Sequence, residues 1–277
     1  IKNNPNIILT SEKFIEKKTS YEIETWAKPI PELAYKNQFG FTNFPIDNDG
    51  KIRRSFTRLS SHLNTPPHPF NQLIVATHLN KNPNTFIQSI QKKYSQNQNN
   101  SYFIDFTLNN SFTHIPFFLL FENRLTNPDI IKNNIVLIGA TDPALNDYHF
   151  TPIGPISGVN LIAHSILTLL EDIPIHTLPF LWSYLIIGCL LSLIILITLN
   201  KKGIAGFLTT IGIIIIYSSV TLLCFKLFKL LIPWALLIIG SISTYSLSLI
   251  VKLLQEEKEK AYIRSIFNPI RFPSSCI

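Results

Sequence analysis

The sequence predicts an α/β domain, a mainly parallel sheet with flanking helices, followed by a three-helix transmembrane segment. Three observations carry this. Residues 180–199, 204–225 and 230–251 contain no charged side chain, and a bilayer core of about 30 Å needs about 20 apolar helical residues. Asn134-Ile135-Val136-Leu137-Ile138-Gly139 is a continuous apolar run, the pattern of a central parallel strand buried on both faces. Apolar residues at helical spacing stand on either side of that run, after Pro69 and after Gly158.

In chain order, residues 6–10 form a short apolar run expected to be a buried strand. Residues 11–36 are polar, mixed in charge and punctuated by Pro29 and Pro31, which predicts loops with a helical turn at 31–35. Two β-favouring runs, 39–44 and 52–60, flank the acidic turn Asp47-Asn48-Asp49-Gly50, so a hairpin is expected there. Pro69 suits a first helical turn, and Phe70, Leu73, Ile74, Thr77 and His78 follow three- and four-residue steps. A second helix is predicted over 84–94, with Phe86, Ile87 and Ile90 on one face. A Ser/Gln/Asn loop over 95–101, a strand over 102–108 and a short helix over 116–123 follow. The apolar strand at 134–139 should end at Gly139-Ala140-Thr141-Asp142, the edge where open α/β sheets bind ligands. A loop through Asp147 and Thr151-Pro152-Ile153-Gly154 then reaches Ser157, a suitable N-cap. The helix over 158–170 turns Val159, Ile162, Ala163, Ile166, Leu167 and Leu170 inward, and Pro174 breaks the chain before the membrane.

Basic residues near membrane ends stay cytoplasmic. Lys201 and Lys202 in the first turn, with Lys252, Lys258, Lys260, Arg264 and Arg271 in the tail, outnumber Lys226 and Lys229 on the other side. The first turn and the tail are therefore expected in the cytoplasm, and the domain before residue 180 outside. Trp182, Tyr184 and Trp234 fall at the outer ends of the spans, where amphipathic rings favour the headgroup layer. Pro233 is placed in the first turn of the third helix, where its missing N–H costs little.

The formal charge of +7 is also topological: residues 1–179 carry 15 Lys and Arg against 14 Asp and Glu, and the rest carry 9 against 3. That balance argues against a nucleic-acid partner. Cys189 and Cys224 lie in the spans and Cys276 in the tail, so no disulfide is expected in the outer domain. The chain begins at Ile1 and contains no methionine, and further sequence upstream is expected.

Candidate chemistry is sparse. Asp47, Asp49 and Gly50 resemble part of a calcium loop, but an EF-hand needs an oxygen ligand where Pro45 stands and a Glu where Phe56 stands. A hydrogen-bonded turn is expected instead, and no metal or other cofactor. Arg53 and Arg54 alternate sides of a strand; one is expected to pair with Asp47 or Asp49, leaving the other to an architectural pair or an anion. Gly139 and Asp142 follow a strand, yet no phosphate-binding glycine motif is present. Asp147, Thr151 and His164 can converge near that strand end; His164 has apolar neighbours, which favours a buried histidine over a catalytic one. The seven histidines show no metal spacing. The spans contain no ionisable Asp, Glu, Lys, Arg or His, which argues against a transporter.

Gly40-Phe41-Thr42-Asn43 with Asp47-x-Asp49-Gly50-x-Ile52-Arg53-Arg54 resembles one motif block of the CHASE type 2 domain. Asn134–Gly139, Asp147, Thr151-Pro152 and Gly158-Val159-x-x-x-Ala163-His164 resemble a second block, with the histidine one place later and Ser157 where the family has Pro. The resemblance, covering residues 6–252, implies an extracytoplasmic sensor of a bacterial receptor, followed by three membrane helices and an output such as a nucleotide cyclase, histidine kinase or Ser/Thr kinase. It names no ligand. Domains are accordingly expected at 1–179 (sensor), 180–251 (membrane) and 252–277 (cytoplasmic signalling helix and tail). Arg53, Arg54, Asp142, Asp147, Thr151 and His164 are the candidate ligand residues, and Asp47, Asp49, Gly50, Gly139 and Gly158 the structural ones. The expected partners are the lipid bilayer, an extracytoplasmic stimulus and a second copy joined through the membrane and signalling helices. The alternative is a membrane-tethered α/β enzyme with its site near Asp147, Thr151 and His164.

Overall fold

The computed structural model describes residues 6–18, 21–29, 39–58, 68–94, 100–108, 112–125, 127–201 and 203–267. The chain divides into two compact units, Ile1–Ile175 and His176–Ile277.

The first unit is built on a mixed four-stranded sheet in the order β2-β1-β3-β5. β1 (Leu9–Lys18) and β2 (Tyr21–Ala27) form an antiparallel hairpin, whereas β1 with β3 (Phe39–Phe41), and β3 with β5 (His68–Pro69), pair in parallel. The expected strand at 6–10 is thus the start of a longer one. The loop expected over 11–36 gives way in part to that hairpin, whose register runs from Glu12 opposite Ala27 to Lys18 opposite Tyr21. The helical turn expected at 31–35 lies outside the described residues.

The acidic turn is present, but it does not close a hairpin. The ladder positions of β3 are taken by β1 and β5, so β4 (Arg54–Phe56) pairs instead, antiparallel, with β6 (Ser101–Phe103). Gly40 shows why the first motif block needs glycine: a Cβ there would lie 2.6 Å from the Cα of Phe70, where α1 (Phe70–His78) crosses β3. Pro69 is the N-cap of α1, one place before the expected first turn.

Helix α2 (Pro83–Tyr94) starts at Asn82, whose Oδ1 accepts from the backbone N–H of Asn84 at 3.0 Å. It buries Phe86, Ile87, Ile90 and Tyr94. These pack with Val75 and Ala76 of α1, Tyr102 of β6 and Ile166 and Leu169 of α4 (Gly158–Glu171). Each large apolar side chain in such a core stabilises the fold by about 1.5–3 kcal/mol. A second cluster joins Ile52, Ile104, Phe106 and Leu161. The short helix α3 spans Phe117–Phe121. The loop expected through Thr151 is an antiparallel hairpin of β7 (Tyr148–Thr151) and β8 (Gly154–Ser157), turned at Gly154 with φ +109°.

The strand expected at 134–139 does not form. The segment is extended in its side-chain alternation: Ile135 and Leu137 pack on the first cluster, while Val136 is 47% and Ile138 75% exposed. Among the described residues no backbone partner completes a ladder along it, so the apolar run contributes packing without pairing.

The second unit holds three helices long and apolar enough to cross a membrane: α5 (Phe180–Asn200), α6 (Gly203–Phe228) and α7 (Ala235–Phe267). The third span begins at Ala235, not at 230. Pro233 has no N–H and restricts the residue before it, so the chain there stays out of the helix. Leu230–Leu231 (β10) instead pairs in parallel with His176–Thr177 (β9), just ahead of α5. Helix α5 packs against both α6 and α7. Ile187, Tyr217 and Leu237 form the apolar centre of the unit.

Candidate functional site

The two motif blocks fold into two adjoining structures. The first is the turn at Asp47. Gly50, at φ +77°, donates its N–H to the Asp47 carbonyl at 2.9 Å, and the Asp47 N–H reaches the Lys51 carbonyl at 2.9 Å. Arg53 holds both acids, with Nη1 2.8 Å from Asp47 Oδ2 and Nη2 2.6 Å from Asp49 Oδ2. Arg54 donates to the other oxygen of Asp47. Both arginines are therefore engaged by the same turn, and Asp47 bridges them. Partial burial raises the Asp47 pKa, but the hydrogen bonds and charges of Arg53 and Arg54 outweigh it and hold the carboxyl below its ordinary range. The hydrogen bond from Arg53 holds Asp49 well below that range.

The second structure lies at the amino end of α4. Asp147 accepts the Gly158 N–H on its carbonyl at 2.9 Å, and its carboxylate covers Gly158 so closely that a Cβ would lie 2.5 Å from Oδ1. The same carboxylate faces His149, with Nε2 3.3 Å away. Gly139 meets the next residue of the helix: a Cβ there would lie 3.0 Å from the Cβ of Val159. These two glycines thus let the chain 139–147 lie directly on the helix start. Asp142 accepts the Ala144 N–H at 2.9 Å and caps a short 3-10 turn, Pro143–Leu145. Thr151 donates to the Gly154 carbonyl at 2.6 Å and closes the β7–β8 hairpin. The Ile52 N–H donates to the Phe150 carbonyl at 2.7 Å, so the two motif blocks are joined backbone to backbone.

His164 stands apart from both. It is 3% exposed, with its ring 5.3 Å from that of Phe106 and 5.1 Å from that of Phe112. Burial pushes its pKa down and keeps the ring neutral. Asp147, Thr151 and His164 each have separate surroundings, and no shared reacting point brings the three together.

Two residues outside the candidate site residues organise this region. Asn43 donates Nδ2–H to the Lys13 carbonyl at 3.1 Å and accepts the Lys13 N–H on Oδ1 at 2.8 Å. Its side chain imitates a backbone and prolongs the β1–β3 pairing. Asn71 sends Nδ2 to Ser55 Oγ at 2.9 Å, Tyr102 OH at 2.7 Å and Ser165 Oγ at 3.1 Å, linking α1, β4, β6 and α4. Thr42, Asn43, Ser55 and Asn71 line the polar side of a small cleft, and Phe41, Phe44, Phe70 and Ile162 its apolar side. The cleft lies where β3 and β5 end, the carboxyl edge of the parallel strands. The available signal was Asn43 at a fixed step from Gly40; nothing local marks Asn71, whose partners are up to 94 residues away.

No curated protein and no solved structure matches the chain. The CHASE2 domain matches residues 1–197, which takes in the whole first unit, both motif blocks and most of α5. A sensory domain followed by three apolar helices is the sensor portion of a membrane receptor. The chain belongs to the CHASE2 domain family.

Proposed function

We propose that the chain is the sensory and membrane part of a bacterial transmembrane receptor, which reads an extracytoplasmic stimulus and passes it to a cytoplasmic output domain, a nucleotide cyclase or a histidine or Ser/Thr kinase. One observation carries the reading. The CHASE2 match runs without interruption into α5, and α7 continues as one helix to Phe267, past Val251 where the uncharged run ends. A helix that leaves the membrane unbroken carries a displacement beyond it, as a flexible linker does not.

The basic-residue count supports an orientation with the sensor outside and the α5–α6 turn and tail in the cytoplasm. Two such chains pair through the membrane helices and the cytoplasmic continuation of α7. The stimulus is read where the motif blocks join, by Arg53, Arg54, Asp147 and Thr151, with Asp142 beside them; His164 acts from the core by setting the packing under α4. The membrane-tethered enzyme is the weaker reading, because Asp147, Thr151 and His164 have separate partners.

Reporter fusions test the orientation on which this rests. A fusion after Leu199 or Val251 is expected to be active only as a cytoplasmic reporter, and one at Pro174 only as an external one. Labelling of Lys201 from outside intact cells overturns the receptor reading.

A further inference from the structure

The first and third membrane helices are tied at both ends. On one side β9 and β10 pair in parallel, with the His176 N–H on the Lys229 carbonyl and the Leu178 N–H on the Leu231 carbonyl, each at 3.0 Å. These two short strands lead directly into α5 and α7, so both helices start from one ladder and run in the same direction. On the other side Lys252 of α7 donates Nζ to the Thr198 carbonyl of α5 at 3.5 Å and to the Lys201 carbonyl, in a still shorter contact. The partners in this second tie, Thr198 and Lys252, are 54 residues apart in sequence; the ladder partners His176 and Leu230 have the same separation. Neither helix is therefore shifted along the other from one end to the other. Between the ties Gly240 admits Leu191: a Cβ on Gly240 would lie 3.2 Å from its Cδ1.

The chemistry of the inner tie is specific. The last four carbonyls of a helix have no partner within it, and Thr198 and Lys201 supply two of the carbonyls at the end of α5. A lysine ammonium fills such carbonyls and favours the negative end of the helix dipole. Lys252 is also the first charge after the uncharged run of α7. Had α7 stayed apolar for one more turn, the Thr198 and Lys201 carbonyls would lose this donor.

We propose that α5 and α7 move as one welded pair and that Lys252 is the positioning residue of the weld, with α6 packed beside the pair through Tyr217. Motion entering α5 then passes sideways into α7 within the bilayer. It does not travel in sequence along α5, α6 and α7. This rests on the sensory reading above for its purpose, but its geometry stands independently.

The test uses residues 1–277 in lipid nanodiscs, with Cys189, Cys224 and Cys276 changed to Ser. Spin labels are placed through Leu199→Cys and Leu253→Cys. A single narrow label–label distance is expected. Lys252→Gln should widen the distribution about twofold, since the ammonium that ties α7 to the α5 carbonyls is then gone. Lys252→Arg, which still reaches them, should keep the original width, as should Lys258→Gln farther along α7. An unchanged width in Lys252→Gln, or equal widening in Lys252→Arg, overturns the weld. The distances are read without stimulus or output, so their failure leaves the sensory reading intact. Reversed reporters at Pro174 and Leu199 would sink that reading and leave the distances as they are.

Discussion

Asn71 and Ser241 are both buried polar residues, satisfied over very different spans of sequence. Asn71, in the sensory unit, reaches Ser55, Tyr102 and Ser165, the last of them 94 residues away. Ser241, in α7, gives its proton to the Leu237 carbonyl one turn back, at 2.6 Å. Thr198, Thr210 and Ser248 do the same with the carbonyls of Ile194, Gly206 and Thr244. Hydrocarbon offers no water to an unsatisfied group, so a membrane helix keeps its polar atoms busy locally. A domain in water can use polar side chains to fix elements that are distant in sequence. The interior of the sensory unit is therefore specified by long-range polar contacts, whereas in the second unit such contacts stand at the ends of the helices and shape matches the apolar stretches between them.

The sharpest way to break this contrast is with two glycines. Gly40 faces backbone, 2.6 Å from the Phe70 Cα to an added Cβ, whereas Gly240 faces the movable end of Leu191 at 3.2 Å. Gly40→Ala should cost about 3 kcal/mol or prevent folding, and Gly240→Ala less than about 1 kcal/mol. Thermal unfolding of the detergent-solubilised chain measures both, and equal costs would erase the distinction. Next come the polar residues themselves. Asn71→Leu should lose about 2 kcal/mol, because three buried hydroxyls lose their common donor, and Ser241→Ala about 0.6 kcal/mol. Hydrogen exchange of the amides in α1, β6 and α4 should accelerate in the first variant and stay unchanged in the second.

The smallest effect is that of pH, and it should touch the sensory unit alone. Burial keeps His164 neutral in the folded state, while the unfolded chain protonates near pH 6.5. The unfolded state then binds more protons, so stability falls as pH drops below about 6.5. Asp47 and Asp49 have lowered pKa values; the stability they contribute is present above about pH 4 and is lost as pH falls through their folded values. Two descending steps in melting temperature are expected. His164→Phe should remove the upper step and keep the lower one; an upper step that survives this change assigns it to another group.

The same contrast explains what the sequence could reveal. The spans were legible because about 20 uncharged residues leave a helix little alternative in a bilayer. Helices α1, α2 and α4 were legible from spacing, and the Asp47–Gly50 turn from its residue types. The hairpin of β1 and β2 was not, because its residues are largely polar and a pairing register cannot be read from one strand alone. Ile135–Gly139 misled in the other direction: its composition is that of a central strand, yet a strand is a pairing, and composition names no partner. At the candidate site the Asp47–Arg53 pairing was readable from a six-residue separation. The Asn71 cluster was not, since three of its four members mean nothing until the chain has folded.

That unpaired stretch has a consequence for how the sensory unit meets proteases. Ile135–Ala140 holds two side chains inward and presents Val136 and Ile138 outward, along a backbone whose amides and carbonyls have no ladder among the described residues. Many proteases take their substrates in this extended form, adding them as a strand beside their own clefts. A loop must usually be drawn out of shape before it fits; the side chains of this one already alternate in and out as in a strand. The cheapest first cut in the sensory unit is therefore near Val136–Ile138. It would separate the Asp47–Arg54 turn from α4, leaving the helix attached to the membrane.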